Sequence, residues 1–378
     1  MKTFDVIIAG GGIIGGSLAF ELATQKLSVL VLDRQEPGQE ASWAAAGMLA
    51  PGPESADDAA LVPFARKSLE LYPAFVRKIE AASNLKVGFR PDGAIELFFG
   101  GDAEGERDRL VTAQRELGLS AEAVGVFEAR RMEPSISGDA RAAAWLPYEA
   151  SVDPRLLTRA VLAAASASGA EIRGGISFER ARVHGTRCTG AIANGEELAA
   201  KHVIVAAGCY CGVLEGIGRY APTRPVRGQM ISLRPGQTKI GRVVRSHRGY
   251  IVPREDGRIV AGSTTENAGF EKQVTADGIR KILGAAIELA PGLSDAEILE
   301  TWSGLRPDTP DHMPVIGQSG IEGLWIASGH YRNGILLAPA TASFLSEWIL
   351  RGTASHLLDG FSPLRFAGEE WNVARPGL

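Results

Sequence analysis

The sequence predicts an α/β protein (α+β in its two-domain layout) whose two domains are discontinuous in the chain, one Rossmann-like and one built on an antiparallel sheet. Three observations support this prediction. A strand, a glycine-rich turn and a helix open the chain, a second unit of this kind lies near residue 330, and strand-like segments lie between them. With 378 residues, the chain is long enough for two domains.

The opening unit has the order strand, helix, strand. Residues 5–9 are a short apolar run that ends in glycine, which is typical of a buried parallel strand. Residues 14–25 are predicted to form a helix, and Val29–Leu32 a second strand that ends before Asp33. A βαβ unit places the start of its helix beside the end of its first strand, where phosphates bind.

The turn of this unit contains the G-x-G-x-x-G pattern. Gly10 permits the tight turn, Gly12 lets the backbone approach a pyrophosphate, and Gly15 lets the helix pack closely on the strand. Asp33 follows Gly15 by eighteen residues, where an acidic side chain accepts hydrogen bonds from ribose hydroxyls. Because the strand, the helix and the acid agree, the pattern predicts a dinucleotide site rather than a turn without a ligand.

The residues of this unit fit either NAD or FAD. Asp33, in place of a basic residue, argues against a 2′-phosphate, although Arg34 follows it. Two features favour FAD, because the unit opens the chain and a late strand, turn and helix return to it. The predicted strand at 202–206, which ends before Gly208, is also typical of flavoproteins.

The late unit consists of an apolar run at 324–327, a turn that contains Gly329 and Gly334, and a predicted helix over 340–350. Arg332 lies between the two glycines. A turn that holds a cofactor at a helix N-terminus and also carries a guanidinium predicts a site for an anionic substrate beside that cofactor.

Two further helices are predicted from their N-terminal caps. Asp153 and Pro154 begin one helix, over 154–168, and Thr275 caps another that ends near Leu289. Strand-like segments bounded by Gly, Pro or Asp lie at 94–99, 229–233, 250–253 and 258–262. We therefore predict an FAD-binding domain from 1–84, 144–215 and 300–365, a substrate-binding domain from 85–143 and 216–299, and a C-terminal tail at 366–378.

Composition narrows the function. The net charge of -4 gives no electrostatic support for binding nucleic acid or a membrane surface. The run that comes closest to a membrane span, residues 6–20, is too short, so we expect no membrane role. Cys188, Cys209 and Cys211 form neither a disulfide framework nor a metal-ligand pattern, and a reducing cytoplasm is the simplest setting for them.

Four segments, read in order, carry a resemblance to a known family. They are residues 44–49 (Ala-Ala-Ala-Gly-Met-Leu), 250–254 (Tyr-Ile-Val-Pro-Arg), 304–307 (Gly-Leu-Arg-Pro) and 329–341 (Gly-His-Tyr-Arg-Asn-Gly-Ile-Leu-Leu-Ala-Pro-Ala-Thr). From residue 4 to about residue 361 the chain resembles the D-amino acid oxidase superfamily of flavoproteins, and within it the glycine oxidases of thiamine biosynthesis. Several matches in the right order are much more specific than any one of them.

The resemblance implies which residues contact FAD. Residues near the opening turn are expected to contact the adenosine and the pyrophosphate. The main chain of Phe178 is expected to contact the adenine, and the late turn is expected to contact the flavin ring. With the glycines and Asp33 of the opening turn included, the residues expected to contact FAD are Gly10, Gly12, Ile13, Ile14, Gly15, Asp33, Arg34, Ser42, Ala46, Gly47, Met48, Phe178, Gly208, Gly329, His330, Tyr331, Arg332, Asn333, Gly334, Ile335 and Leu336. Some sarcosine oxidases attach flavin to a late cysteine, but none follows Cys211 here, so we predict non-covalent FAD.

The resemblance also implies a substrate site. Arg306 and Arg332 stand where the family binds the substrate carboxylate, and each can offer it a planar fork. Tyr250 stands at the substrate-pocket tyrosine, whose hydroxyl can donate to the same carboxylate. Without the resemblance, the arginines would read as solvated surface groups and Tyr250 as an ordinary strand aromatic. Arg248 and Thr265 replace the histidine and methionine of the best-known members, which leaves glycine, sarcosine, small D-amino acids and other N-substituted glycines all open as substrates.

The implied activity is oxidation of such an amine by hydride transfer to FAD, which gives a 2-oxo acid, ammonia or an amine, and hydrogen peroxide. The flavin performs this chemistry, so we predict no catalytic side chain, and His330 is expected to pack near the flavin rather than act as a base. Two alternatives stay open, a D-amino acid or sarcosine dehydrogenase with an acceptor other than oxygen, and a non-catalytic FAD-binding protein. We also expect a homo-oligomer.

Overall fold

The structure is a computed structural model that describes residues 3–53 and 56–367, without the side chains of 56–58. Within these residues there are eight α-helices: α1 (Ile13–Thr24), α2 (Ala41–Ala44), α3 (Val62–Ser83), α4 (Ala103–Glu116), α5 (Val126–Met132), α6 (Pro154–Ala167), α7 (Ala276–Leu289) and α8 (Gly334–Arg351). Short 3-10 helices cover Ala56–Leu61, Gly208–Val213, Pro291–Asp295, His356–Phe361 and Pro363–Phe366. None of the helices in the described ranges is both long and apolar enough to cross a membrane.

The same residues form eighteen strands. They are β1 (Thr3–Ala9), β2 (Val29–Leu32), β3 (Met48–Leu49), β4 (Ala94–Phe98), β5 (Glu122–Val124), β6 (Ala142–Leu146), β7 (Ala150–Ser151), β8 (Glu171–Arg173), β9 (Phe178–His184), β10 (Arg187–Ala193), β11 (Glu196–Val205), β12 (Arg224–Arg234), β13 (Val243–Ser246), β14 (Gly249–Pro253), β15 (Ile259–Gly262), β16 (Glu297–Asp308), β17 (Val315–Gln318) and β18 (Leu324–Ser328).

The first sheet has the strand order β17-β18-β11-β1-β2-β8, and β10 and β9 extend it from β11. The strands from β18 to β8 are parallel, whereas β17, β10 and β9 are added in antiparallel pairs. Parallel strands bring their carboxyl ends to one edge, which here includes Ala9 and Val205. This confirms the predicted Rossmann-like sheet.

Apolar side chains cover both faces of the first sheet, because successive residues of a strand point to opposite sides. On one side, Val6 and Ile8 pack in a cluster with residues of α1, α3, α6 and α8. On the other side, Ile7 and Leu30 join a second cluster, which includes Phe366. Phe366 was predicted to start the C-terminal tail but is buried in this cluster, and residues 368–378 of that tail lie outside the described residues.

The second sheet has the order β16-β12-β15-β14-β13-β4-β6-β5. All of its pairs are antiparallel apart from β4 and β13, which run in parallel, so the predicted antiparallel sheet is a mixed one. Helix α7 packs on one face, against residues such as Ile231 and Ile251. The predicted domain boundaries at 144 and 300 fall inside β6 and β16, because both strands pair within this sheet to their ends. The division of the chain between the two domains stays a prediction.

The helix caps predicted from the sequence are present. The Asp153 carboxylate accepts from Arg155 N and Leu156 N at the start of α6, and the Thr275 hydroxyl accepts from Gly278 N at the start of α7. Each side chain satisfies amides that have no partner within the helix.

Helix α8 begins at Gly334, six residues before the predicted start at Ala340, and contains Pro339. Proline lacks the amide hydrogen that would bind the Ile335 carbonyl. Two side chains of α3 compensate, as Tyr72 Oη donates to the Ile335 carbonyl at 2.8 Å and Ser68 Oγ to the Leu336 carbonyl at 2.6 Å. The helix therefore continues through the proline because α3 supplies the missing donors.

Candidate active site

A cavity of about 960 Å³ lies where the carboxyl edge of the first sheet meets one face of the second sheet. This volume is at the upper end of the range of roughly 300–1,000 Å³ for ligand pockets. The N-termini of α1 and α8 both open on the cavity, at Ile13 and Gly334. Because helix N-termini attract anions, the cavity suits a long ligand with phosphate or other anionic groups.

The glycine turn allows very close contact between β1, β11 and α1. Gly10 has φ +109°, and a Cβ there would lie 2.4 Å from the Ala206 carbonyl oxygen. A Cβ at Gly15 would lie 1.9 Å from the Gly10 carbonyl oxygen. Gly12 is different, since its nearest neighbour would be Ser42 Oγ at 3.2 Å. Gly10 and Gly15 therefore close the turn, whereas Gly12 leaves space toward the cavity.

Polar side chains at the end of β2 form the outer wall of the cavity. The Asp33 carboxylate accepts hydrogen bonds from Gly11 N at 2.8 Å and Gln35 N at 3.1 Å. Burial raises the pKa of Asp33, and these two bonds oppose that shift. The Arg34 guanidinium lies 3.5 Å from the centre of the Tyr210 ring, in a cation–π contact.

Two side chains that the sequence analysis did not select support the segment from α2 to β3. Trp302 Nε1 donates to the Ala44 carbonyl at 3.1 Å, and Arg254 Nη2 donates to the Ala46 carbonyl at 2.7 Å. Arg254 is buried, 3.5 Å from Asp153, and burial lowers its pKa to about 10. Arg254 is the last residue of the motif at 250–254. That motif is therefore the sequence feature that could have indicated its role in supporting the segment from α2 to β3.

The turn before α8 folds back onto the end of β16, where Tyr331 N donates to the Pro307 carbonyl at 3.0 Å. His330 is buried beneath this turn, with Nε2 3.1 Å from Thr341 Oγ1. Burial lowers the pKa of His330 to about 3. Its ring is therefore neutral near pH 7 and a very weak base, which suits a packing role better than proton transfer.

Arg306 and Arg332 converge on three consecutive residues. Arg306 Nη2 donates to Ser263 Oγ at 2.7 Å, and its Nη1 donates to the Thr264 carbonyl at 3.1 Å. Arg332 Nη2 donates to Thr265 Oγ1 at 3.1 Å. The fold thus brings two guanidinium groups from distant parts of the sequence to one end of the cavity, and Thr265 helps to orient the second.

The space for Arg306 comes from a glycine on the neighbouring strand. A Cβ at Gly228 of β12 would lie 2.3 Å from Arg306 Nη1. Gly304 has a comparable role two residues before Arg306, since its Cβ would lie 2.3 Å from the Ala44 Cβ. Glycines inside strands mark such close approaches, but the sequence does not show what approaches them.

Tyr250 and Arg248 are close in the β13–β14 hairpin but have different surroundings. The Tyr250 hydroxyl lies 3.4 Å from Met230 Sδ and faces the cavity. Arg248 is 59% exposed at its side chain and pairs with Glu288 of α7 at 2.8 Å. The charge that Arg248 brings to the cavity rim is therefore compensated by an acidic partner.

Comparison with known proteins identifies the family. The profile described as DAO, FAD dependent oxidoreductase, matches residues 5–348. The chain belongs to this family. Among the described residues of this DAO-family protein, no group of His, Cys, Asp and Glu is arranged to hold a metal ion.

Several named proteins are similar to this DAO-family chain. It is 36% identical to the bifunctional protein ThiO/ThiG of Trichormus variabilis, over 96% of this chain and 55% of that protein, so it spans about half the length of that relative. It is 34% identical to the glycine oxidase of Pseudomonas putida, over 91% of this chain and 93% of that protein. The crystal structure of glycine oxidase from Geobacillus kaustophilus superposes with a TM-score of 0.91 at 30% identity, covering 97% of this chain and 99% of that chain.

The geometry agrees with an FAD-dependent DAO-family protein. All five residues predicted to bind substrate line the cavity, as do the residues predicted to bind FAD except Gly15, Gly329 and Leu336, which pack behind it. The lining also includes residues that no sequence pattern indicated, among them Glu40, Glu96, Leu110, Gln114, Met230, Arg245 and His247.

Proposed function

We propose that this protein oxidises glycine or a similarly small amine that carries a carboxylate, with FAD as cofactor and oxygen as electron acceptor. The convergence of Arg306 and Arg332 at one end of the cavity carries this proposal. The relatives named glycine oxidase support it. The products are the 2-oxo acid, ammonia or an amine, and hydrogen peroxide.

In this proposal the carboxylate lies between Arg306 and Arg332, which attract it and fix its orientation. The contacts of Arg306 with Ser263 and Thr264 hold its guanidinium in place before substrate arrives. The Tyr250 hydroxyl, whose neighbour is the weak acceptor Met230 Sδ, donates a further hydrogen bond. The carboxylate is thereby anchored at one point, and the α-carbon is turned toward the cofactor.

The described residues fit FAD. The α1 N-terminus and Gly12 would hold the pyrophosphate, Asp33 would bind the ribose, and the α8 N-terminus would lie against the flavin ring, since all of them line the cavity. When bound, FAD supplies the chemistry, as it accepts hydride from the α-carbon and passes electrons to oxygen. The chain contributes binding, orientation and the exclusion of water, and the neutral His330 adds no charge beneath the ring.

We propose that FAD is held without a covalent bond, because residues 307–316 contain no cysteine and the three thiols of the chain are all buried. Acid precipitation tests this directly. The yellow colour is expected to stay in the supernatant, and a flavin that remains in the pellet would contradict the proposal. We further propose that the protein is a homo-oligomer, which light scattering of the purified protein tests, and that it is cytoplasmic, which fractionation of the source cells tests.

Anaerobic addition of glycine or sarcosine to the purified holoprotein tests the function. Bleaching of the flavin absorbance by either amine, followed by peroxide formation when air is admitted, is the expected result. If no amine bleaches the flavin, the protein is not an amine oxidase. If bleaching occurs but only an artificial acceptor is reduced, the protein is a dehydrogenase.

A further inference from the structure

The cavity continues past the arginine end along one row of the second sheet. Tyr250 pairs directly with Arg245, and Arg245 pairs directly with Glu96 on the next strand. Directly paired residues point to the same face of a sheet, and neighbouring strands lie about 4.8 Å apart, so Glu96 lies about 10 Å from Tyr250 along the wall. All three residues line the cavity.

This part of the wall carries a negative charge. Arg245 Nε donates to Glu96 at 2.8 Å, and its two terminal nitrogens donate to Glu149 at 2.7 and 2.9 Å. Two carboxylates thus share one guanidinium, which leaves a formal charge of about -1 on the group. Glu149 is buried behind the wall, whereas Glu96 and Arg245 reach the cavity.

A side-chain amide lines the same cavity. Gln114 of α4 is only 6% exposed and lines the cavity. Its amide lies against the backbone of Gly52, where a Cβ would be 2.0 Å from Gln114 Nε2. Leu110, one helical turn earlier, lines the same cavity. Because it lines the cavity, the Gln114 amide can offer both a donor and an acceptor to a ligand there.

We propose that Glu96, Arg245, Leu110 and Gln114 form a second binding subsite, the α4 subsite, for a substituent on the glycine-like substrate. The negative group favours a substituent that ends in an ammonium or a carboxamide and rejects one that ends in a second carboxylate. Leu110 packs on the methylene groups, and the Gln114 oxygen accepts from the terminal donor. This inference rests on the proposed function, because the substrate carboxylate is assumed to bind at Arg306 and Arg332.

Three N-substituted glycines of equal length test the subsite. They are N-(2-aminoethyl)glycine, N-(carbamoylmethyl)glycine and iminodiacetate, which end in a cation, a neutral amide and an anion. For the holoprotein we expect kcat/KM for the first two to exceed that for iminodiacetate by about tenfold or more, since like charges side by side are strongly disfavoured. Turnover of all three at equal efficiency, or a preference for iminodiacetate, would overturn the subsite.

The two proposals fail in different ways. If neither glycine, sarcosine nor any of the three compounds is oxidised, the proposed function fails, and dissociation constants from the perturbed flavin spectrum then decide the subsite. Tighter binding of N-(2-aminoethyl)glycine than of iminodiacetate supports the subsite, and equal binding rejects it. If sarcosine is oxidised but the charge of the substituent has no effect, only the subsite fails.

Two substitutions in the subsite and one control test which residues cause the preference for a cationic substituent. Glu96→Gln removes one charge from the wall and is expected to reduce the preference for cation over anion about tenfold. Glu122→Gln, an exposed carboxylate on the nearby strand β5, is the matched control and should leave the preference unchanged. Equal effects of both substitutions would refute the assignment. Gln114→Leu, which keeps every charge, is expected to weaken the carboxamide compound selectively, so the subsite can be tested even if Glu96→Gln does not fold.

Discussion

The two walls of the cavity recognise ligands by different means. The wall from the first sheet consists mainly of backbone, with glycines at Gly10 and Gly12 and the N-termini of two helices. The wall from the second sheet consists of long polar side chains, such as Arg306 and Tyr250, each supported by other side chains. A dinucleotide can be held by a short continuous motif, whereas a small substrate needs side chains that arrive from several strands.

The largest effect is expected from a substitution that disrupts the glycine turn of the first wall. Gly15→Ala places a Cβ 1.9 Å from the Gly10 carbonyl oxygen, so the turn must move. We expect a loss of about 3 kcal/mol in the free energy of unfolding and strongly weakened FAD binding. Gly284→Ala is the control, since this glycine is also helical but its Cβ would meet nothing within 4 Å. That substitution should be neutral or slightly stabilising. Flavin content and unfolding midpoints of the two variants check this, and similar values would contradict the model of the turn.

The two walls also differ in how well the sequence predicts them. The glycine turn, the strand before it and Asp33 lie within one short stretch of the sequence, so a pattern can identify them. The dinucleotide-binding fold is predicted from that pattern. The second wall depends on strand register, which places Arg245 beside both Glu96 and Tyr250. No spacing in the sequence encodes that register, so the ion pairs of Arg245 with Glu96 and Glu149 were not predicted.

The start of α8 shows a similar limit. The sequence predicted a helix only over 340–350, whereas the contact with α3 lets the helix continue through Pro339 and begin at Gly334. Arg254 was likewise read only as part of a family motif, because its partners, Ala46 and Asp153, are distant in sequence. Local chemistry is therefore predictable here, and contacts between distant segments are not.

The second prediction compares Arg306 of the second wall with Arg332, which lies in the turn before α8. Arg306→Ala should raise KM for glycine by at least about thirtyfold, because the loss of one partner of a partly buried charge pair costs about 2–5 kcal/mol. Arg332 is exposed, so Arg332→Ala should raise KM by a smaller factor, owing to solvent screening. Arg306→Lys should not restore binding, since an ammonium cannot replace the planar fork. Steady-state kinetics of the variants measure these KM values. Equal increases in KM for the two alanine variants, or a larger increase for Arg332→Ala, would reject these roles.

A third prediction concerns the effect of the buried His330 on stability in acid. Burial lowers the pKa of His330 to about 3, below the unfolded value near 6.5. Below pH 6.5 the unfolded chain binds a proton that the folded chain does not, so stability is full above pH 6.5 and falls as the pH drops toward 3. At pH 5 the loss from this group is about 2 kcal/mol. His330→Gln should lessen this fall in urea unfolding, and the exposed His184→Gln should not; identical pH profiles would contradict the burial of a neutral ring.

The smallest expected effect tests the link between α3 and α8. Tyr72→Phe removes the donor that satisfies the Ile335 carbonyl, which Pro339 leaves without its helical partner. We expect a loss of about 1–2 kcal/mol in the free energy of unfolding, since a buried carbonyl remains unsatisfied. Tyr148→Phe, at a half-buried tyrosine of the same chain, removes a hydroxyl with no such contact and should have little effect. Because Ile335 lines the cavity at the start of α8, the Tyr72 variant should also bind FAD more weakly. Unchanged stability and unchanged flavin affinity would show that the helix start is held by its own packing rather than by α3.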